Sequence, residues 1–185
     1  MIGGAAQSIG LYAAGLAVAH GASAVDYLDR GATRLDIAES FGATPVRREA
    51  SDRLAAAPAL GTLLDGFPKR PPESDAYHLV IEAASNGAGL RHAIHCTAPG
   101  GTCCPVGYYV GARTGLPLVH MYTTDITLHV SVSHPRAHLP ELLQWVHDHD
   151  FPAERVTTTL AGFHEAPIAY AAHTTKLVPH REPLT

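Results

Sequence analysis

Apolar and polar residues along the chain alternate between short strand-like runs and longer helix-like runs. Strands separated by helices are typical of right-handed βαβ crossovers, which build a parallel sheet with helices on both faces. The strands are predicted at residues 1–2, 24–29, 44–46 and 77–83, in a run that ends at 106 after a turn at 99–101, and at 127–131. The pattern therefore predicts an α/β fold with a doubly wound, parallel, six-stranded sheet.

The helices between these strands are predicted from their apolar faces. Residues 11–20 are apolar almost all round, as in a helix packed between a sheet and other elements. Glycine is predicted to end the first two helices, at Gly21 and Gly42. The other helices are predicted at residues 32–41, 86–95 and 138–149, with a weak helical stretch and a Pro-rich connection in 47–74.

The C-terminal part of the chain has a different pattern. Two β-prone runs, 156–160 and 176–178, flank a short helix predicted at 165–173. We expect these elements to belong to a separate sheet.

A glycine-containing turn at residues 3–10 joins the first strand to the first helix. A helix that starts there presents free backbone N–H groups and the positive end of its dipole, which together bind a pyrophosphate. The strict G-x-G-x-x-G spacing is not met, because Ala5 and Gln7 stand at two of the glycine positions, whereas Gly4 and Gly10 fit a looser pattern. Asp29 follows about 20 residues later, at the end of the second strand, where an acid can hydrogen-bond the ribose hydroxyls.

These features resemble the coenzyme domain of zinc-type alcohol dehydrogenases in the medium-chain dehydrogenase/reductase family. The likeness is carried by residues 2–22, Val25-Asp26-Tyr27-Leu28-Asp29, Phe41-Gly42-Ala43, Leu79-Val80-Ile81-Glu82-Ala83, and Pro99-Gly100-Gly101 with Val106-Gly107. It implies a Rossmann-type, NAD(P)-binding domain at 1–150 and a segment at 151–185 that returns to the family's catalytic domain. The implied activity is NAD(P)-dependent oxidoreduction of an alcohol or aldehyde.

The resemblance also implies which residues bind the cofactor. The glycine turn would hold the pyrophosphate, Asp29 the adenosine ribose, and the segments after the fourth and fifth strands the remaining surface of the cofactor. A carboxylate at position 29 favours NAD over NADP by repelling a 2′-phosphate, although Arg30 and Arg34 weaken that preference. The full set is Gly4, Gln7, Ser8, Ile9, Gly10, Asp29, Arg30, Ala84, Ser85, Val106 and Gly107.

Catalysis by this chain alone is not expected. In the family, the zinc ligands, the proton relay and most substrate contacts precede the coenzyme domain, and Met1 falls where an interior residue of the first strand would be. The chain is therefore expected to be truncated, to bind a dinucleotide, and to hold neither catalytic residues nor zinc. The alternatives are a non-catalytic cofactor-binding remnant and one half of a split enzyme completed by another chain.

Composition narrows the classes of function further. The net charge of −4 and the pI near 6.3 give no basis for nucleic-acid binding, and no polybasic run suggests a membrane surface. The apolar run at 9–19 is too short to span a bilayer, and the first basic residue, Arg30, comes too late for a secretory signal. Three closely spaced cysteines favour a reducing cytosol over a disulfide framework.

Three further groups of residues leave alternatives open. The set His92, His95, Cys96, Cys103 and Cys104 is rich in metal-ligand types, but its spacing fits no zinc motif, and packing is the favoured interpretation. Glu82 lies in a predicted interior strand and needs a partner that the sequence does not name. The family often dimerises through its coenzyme domain, and residues 117–124 lie about where that edge would be. A short-chain reductase is disfavoured, because no Tyr is followed four residues later by Lys.

Overall fold

A computed structural model describes residues 2–4, 8–47, 76–110, 113–172 and 174–181. Gln7 and nearly all of the stretch predicted at 47–74 lie outside these ranges. The chain divides into two compact units, Met1–Ser131 and Val132–Thr185. The domain division predicted at residue 150 stays a prediction.

The first unit is built on a six-stranded sheet in the order β3-β2-β1-β4-β5-β6, and all neighbouring strands are parallel. The strands are β1 (Ile2–Gly4), β2 (Asp26–Asp29), β3 (Thr44–Arg47), β4 (Tyr77–Ala83), β5 (Thr97–Pro105) and β6 (Thr127–Leu128). The predicted α/β class and the six-stranded parallel sheet are confirmed. The order reverses between β1 and β4, which makes the carboxyl ends of these strands the topological switch point where such sheets bind ligands.

Within the described ranges, the helices that connect these strands are α1 (Ile9–Ala19), α2 (Ala32–Ser40), α3 (Gly87–His95) and α4 (Leu118–Thr124). The predicted glycines Gly21 and Gly42 follow the first two helices with positive φ angles. The side chain of Asn86 caps α3 by accepting a hydrogen bond of 2.8 Å from the N–H of Gly89. Helix α4 was not predicted, because its sequence, Leu-Val-His-Met-Tyr-Thr-Thr, has only seven residues, too few to define a helical period.

The core of the first unit lies between the sheet and the helices. Leu11 of α1, Tyr27 of β2 and Val80 of β4 are fully buried, and so are Ile94 of α3 and Cys103 of β5. Each fully buried aliphatic side chain of this size contributes about 1.5–3 kcal/mol. The buried side chains of β5 and α3 thus stabilise the half of the sheet formed by β4, β5 and β6.

The predicted turn at residues 99–101 is wrong in one respect, because these residues lie inside β5. Tyr77 pairs with Thr97 and Leu79 with Thr102, so β5 uses five positions where β4 uses two. The extra residues form a bulge, and Gly100 permits it by adopting φ +71°. Residues typical of a turn are present at 99–101, but they bend a strand that continues on both sides instead of starting a new strand.

Other predicted boundaries also needed correction. The sixth strand ends at Leu128 instead of residue 131, with a single further backbone bond of 2.9 Å from His129 N–H to the Cys103 carbonyl. The second strand begins at Asp26, two residues later than predicted. These are the ends of elements, where local pattern is least informative.

The second unit contains α5 (Pro135–Asp148), α6 (Ala166–Ala171) and a two-stranded parallel sheet of β7 (Thr159–Gly162) and β8 (Leu177–His180). Helix α5 starts three residues earlier than predicted, because Pro135 suits the first turn, where its missing N–H costs nothing. Val156 was predicted in a strand, but it ends a 3-10 helix at Ala153–Val156 in which Thr157 N–H donates to the Glu154 carbonyl at 2.8 Å. A separate sheet in the tail is nevertheless present.

Candidate dinucleotide-binding site

The register of the strands brings most of the predicted cofactor residues to one edge of the sheet. Gly4 pairs with Ala83, Gly3 with Leu28, and Glu82 with Pro105, so β1, β2, β4 and β5 end at similar levels. Asp29 therefore lies at the same carboxyl edge as the segments that begin at Ala84 and Val106. This is the edge at which a doubly wound sheet binds its ligand.

Helix α1 begins after this edge, and no side chain of its N-cap residue or first turn caps its N-terminus. Ser8 is the N-cap residue, yet its side chain makes no capping hydrogen bond, and the first turn carries no acidic residue. Gly10 is buried, while Ile9 is 47% exposed. Neither Ser8 nor an acidic side chain of the first turn thus caps α1, and backbone N–H groups at such a helix end are typical anion-binding groups.

Asp29 has the most extensive hydrogen bonding of the predicted site residues. Its Oδ1 accepts from the backbone N–H groups of Arg30 at 2.6 Å and Gly31 at 2.8 Å, and from Arg34 Nη2 at 2.6 Å. Its Oδ2 accepts from the Tyr27 hydroxyl at 3.0 Å and from Arg34 Nε at 2.8 Å. The residue is only 4% exposed, so these donors replace the water that a carboxylate needs.

The carboxylate of Asp29 stays ionised in this environment. Burial raises its pKa, but the hydrogen bonds from Arg34 and Gly31 and the charge of Arg34 outweigh burial, and the pKa lies below its ordinary value. Burial and the Asp29 charge raise the pKa of the Tyr27 hydroxyl, which therefore remains a donor. A negative charge is thus fixed at the end of β2.

Arg34 supplies two of the five donors that surround the Asp29 carboxylate. An ionised carboxylate offers about four lone-pair sites, and five donors already surround that of Asp29. The guanidinium also covers Gly31, where an added Cβ would lie 2.7 Å from Arg34 Nη2. Hydroxyl groups of a ligand can reach the carboxylate only when Arg34 moves aside, whereas Arg30 is exposed and makes no side-chain contact with Asp29.

The partner of Glu82 is Tyr109, which the sequence analysis did not find. Glu82 is 3% exposed, its Oε1 accepts from the Ala84 N–H at 2.7 Å, and its Oε2 accepts from the Tyr109 hydroxyl. Burial, followed by the hydrogen bond to Glu82, raises the pKa of Tyr109. A glutamate within an apolar strand indicates that a hydrogen-bond donor must lie nearby. Tyr109 is 27 residues away in the sequence, so the sequence alone could not identify it as that donor.

The segments after β4 and β5 touch at Ser85 and Gly107. Ser85 has a φ of +57°, in the left-handed region that residues with a side chain rarely adopt. A Cβ on Gly107 would lie 3.0 Å from both Cα and Cβ of Ser85 and closer still to its Oγ. Of the other residues predicted here, Ala84 is half-buried and Val106 is 45% exposed.

A polar cavity of about 240 Å³ opens beside this contact. Two arginines, Arg91 of α3 and Arg113, line it, together with Ser85, Asn86, Gly87, Tyr109, Thr114 and Gly115. The described residues provide no ion-pair partner for either guanidinium. The cavity therefore adds positive charge next to the β4 and β5 ends of the site.

The histidine- and cysteine-rich stretch does not form a metal centre within the described part of the chain. No three His, Cys, Asp or Glu side chains there are grouped as ligands, although His92 Nε2 lies 3.6 Å from Cys96 Sγ. Burial raises the pKa of the Cys103 thiol to about 12, so this sulfur is a neutral core group. The described residues thus do not fit the zinc that the resemblance implies for a whole enzyme.

His95 and His120 form a packed pair between α3 and α4. Their ring centroids are 4.5 Å apart, and the His120 imidazole also donates a hydrogen bond to the Ile94 backbone. Nε2 of His120 is buried and has no hydrogen-bond partner among the described residues. Burial lowers the pKa of both imidazoles, and for His95 the charges of His120 and His92 lower it further.

This pair predicts that the fold loses stability in mild acid. Because the folded pKa values lie below the value of 6.5 for an unfolded histidine, the unfolded state binds more protons as the pH falls through 6.5. The free energy of unfolding should therefore decrease below that pH, and the double variant His95→Gln, His120→Gln should show a smaller decrease. Urea titrations between pH 5 and about 8 measure it. The control is His129→Gln, an exposed histidine, and equal slopes for both variants would contradict the prediction.

Comparison with known proteins agrees with this geometry. Residues 8–148 match the family described as zinc-binding dehydrogenase. A probable zinc-binding alcohol dehydrogenase of Mycobacterium tuberculosis is 30% identical over 174 residues, which are 91% of this chain and 42% of that protein. The chain therefore spans less than half the length of that relative.

Solved structures share the fold at lower identity. An alcohol dehydrogenase from Escherichia coli, complexed with NADH, is 17% identical with a TM-score of 0.71, and the match covers 91% of this chain and 46% of that one. A structure described as a zinc-binding dehydrogenase from Sinorhizobium meliloti bound to NADP is 23% identical, with a TM-score of 0.73. The match covers 96% of this chain and 51% of that one. At these identities the likeness concerns the fold. On the family match over most of its length, the chain belongs to the zinc-binding dehydrogenases and comprises their coenzyme-binding domain.

Proposed function

We propose that this chain binds NAD and forms the coenzyme-binding half of an alcohol or aldehyde oxidoreductase. The observation that carries the proposal is Asp29, a buried, ionised acid at the carboxyl end of β2, beside the uncapped N-terminus of α1 in a 3-2-1-4-5-6 sheet. NAD fits this acid through its two free ribose hydroxyls. NADP would bring a 2′-phosphate against the same carboxylate.

The role of each segment follows from its place at the sheet edge. Ser8, Ile9 and Gly10 hold the pyrophosphate through backbone N–H groups, together with Gly4 and Gln7 from the glycine turn. Asp29 binds the adenosine ribose after Arg34 has moved aside, and Arg30 lies next to it. Ala84, Ser85, Val106 and Gly107 line the other nucleotide of the cofactor.

Oxidation of an alcohol moves a hydride to the nicotinamide and the hydroxyl proton to a base, often with a metal as Lewis acid. Within the described residues no three His, Cys, Asp or Glu side chains are grouped as metal ligands, and the carboxylates of Asp29 and Glu82 at the carboxyl edge already accept hydrogen bonds from neighbouring donors. We therefore propose that the zinc and the proton relay come from another part of a longer enzyme or from a second chain. The two-stranded sheet β7–β8 supports the proposal of additional residues from elsewhere. Its Leu160 is 70% exposed, and a sheet of two strands needs a neighbour to cover it.

A homodimer through the coenzyme domain is also proposed. Helix α4 precedes β6, an outer strand of the sheet, and its side chains Leu118, Val119 and Tyr122 are 66%, 54% and 88% exposed. Apolar residues grouped beside a sheet edge are typical of an interface.

The free cysteines support a cytoplasmic location. In the described ranges no helix is both long and apolar enough to cross a membrane.

Calorimetric titration of the purified chain tests the proposal. We expect NAD to bind with a Kd below about 1 mM, the upper end of ordinary affinities for such ligands, and NADP to bind more weakly. Absence of heat with NAD at millimolar concentration would contradict the coenzyme role. Oxidation of ethanol by the chain alone, after chelation of metals, would contradict the proposal that catalysis needs additional residues.

A further inference from the structure

The carboxylate of Glu82 lies where three segments of the carboxyl edge meet. It binds the N–H of Ala84 in the turn after β4 and the hydroxyl of Tyr109 in the segment after β5. The first turn of α3 packs against it as well, since a Cβ on Gly89 would lie 2.7 Å from Glu82 Oε1. One buried side chain thus contacts the turn after β4, the segment after β5 and the first turn of α3.

We propose that Glu82 and Tyr109 are positioning residues for the nicotinamide half of the cofactor. Together they hold the turn that contains Ala84 and Ser85 against the segment that contains Val106 and Gly107. The inference rests on the proposed function, because it concerns the same dinucleotide site, but neither residue is taken to touch the cofactor.

The assignment to the nicotinamide half follows from the topology. A sheet of this order has two mononucleotide-binding halves, one on each side of the switch point between β1 and β4. Asp29 belongs to the β1–β3 half, where it serves the adenosine ribose. Glu82 and Tyr109 belong to the β4–β6 half, so the segments that they hold face the other nucleotide.

The hydrogen bond, rather than packing alone, determines the position of the segment after β5. Its backbone is joined to β4 by a bond of 2.8 Å from Val106 N–H to the Glu82 carbonyl, and beyond that the Tyr109 hydroxyl provides the next polar attachment to Glu82. Loss of the hydroxyl would leave a buried carboxylate oxygen without a donor, which is costly. Ser85 and Gly107 are already in close contact, so a small shift of either segment changes the surface between them.

The neighbouring residue provides a matched control. Tyr108 precedes Tyr109 in the same segment, but its side chain is 85% exposed and has no hydrogen bond among the described residues. Tyr109→Phe and Tyr108→Phe therefore remove the same atom from adjacent positions. Only the first removes the bond to Glu82.

The experiment compares the affinities of these variants for NADH and for ADP, which lacks the nicotinamide half. Tyr109→Phe should weaken NADH binding about tenfold, as expected for one lost hydrogen bond to a charged group, and leave ADP binding within about twofold of wild type. Tyr108→Phe should change neither. Glu82→Gln should give an intermediate loss, because its amide nitrogen can still donate to the Tyr109 oxygen.

A second readout does not depend on the dinucleotide. Hydrogen exchange of the Ala84 and Val106 amides, both bound to Glu82, should be faster in Tyr109→Phe than in Tyr108→Phe. Equal weakening of NADH and ADP, or wild-type affinity for NADH, would overturn the positioning role. If the wild type binds neither ligand, the proposed function fails, and the exchange rates alone decide whether the pair holds the two segments.

Discussion

Asp29→Ala is expected to weaken NAD binding at least about tenfold and NADP binding less. Each hydrogen bond from a ribose hydroxyl to an ionised carboxylate contributes about 1.5–3 kcal/mol, and the variant loses this acceptor. For NADP, the variant also removes a charge that repels the 2′-phosphate. Calorimetric titration with both dinucleotides measures the two changes. An equal loss for NAD and NADP would contradict the ribose role of Asp29.

The same variant should also lower the free energy of unfolding by about 3 kcal/mol, because it leaves the partners of a buried ion pair unpaired. Tyr27, Arg30 and Gly31 would each lose a hydrogen bond, and Arg34 would lose two. Asp36→Ala removes an exposed carboxylate from α2 and is the matched control, for which both binding and stability should stay near wild type.

Arg34→Ala provides the complementary test of the site. It keeps the carboxylate of Asp29 but removes two of its five hydrogen-bond donors, Arg34 Nη2 at 2.6 Å and Nε at 2.8 Å. We expect NAD to bind as tightly as in the wild type or more tightly, while NADP loses a cation near its 2′-phosphate. Weaker binding of NAD would show that Arg34 contacts the cofactor instead of competing with it.

Gly107→Ala is expected to weaken dinucleotide binding about as much as Asp29→Ala does, but for a steric reason. The added methyl group would lie 3.0 Å from the Ser85 Cα, a backbone atom, so the segments after β4 and β5 must separate. Ser85 already has a φ of +57° and has little conformational freedom to adapt. Overpacking of this kind costs about 1–3 kcal/mol in stability, and NADH affinity should fall about tenfold in the same variant.

Gly115→Ala is the control for that substitution. Among the residues that the structure describes, none has an atom within 4 Å of the position that its Cβ would take beyond its chain neighbours, and it borders the same cavity as Ser85. Urea unfolding and NADH titration should therefore give values near wild type. A loss in Gly115→Ala equal to that in Gly107→Ala would mean that the whole segment tolerates no side chain, and that the contact with Ser85 is not the cause.

The fold was predictable where the pattern was long or had strong chemistry. Residues 77–83 form β4 as predicted, because a run of apolar residues with turn signals on both sides has few alternatives. Helix α4 and the start of α5 were missed or misplaced, since short segments give too few positions to define a period. The bulge in β5 could not be predicted either, because Pro99 and Gly100 signal a turn without showing that the strand continues beyond it.

The site was predictable in part for a related reason. The position of Asp29 at the end of β2 was predicted because one helix and one strand of typical lengths separate it from the glycine turn. The hydrogen bonds from Arg34 to Asp29 and from Tyr109 to Glu82 could be identified only from the three-dimensional structure. Glu82 shows what the sequence can offer in such cases: it identifies a need for a donor but not the donor itself.

The central position of β1 also has a consequence for the order of folding. Its three residues pair with β2, near residue 27, and with β4, near residue 81, so one flank closes a short loop and the other a long one. Pairing across long loops is slow, because chain entropy must be lost before contacts form. On a ribosome, the β1–β2–β3 half can assemble while β4 is still being synthesised. Until β4 is added, β1 remains an open edge at which another nascent chain can pair and begin to aggregate.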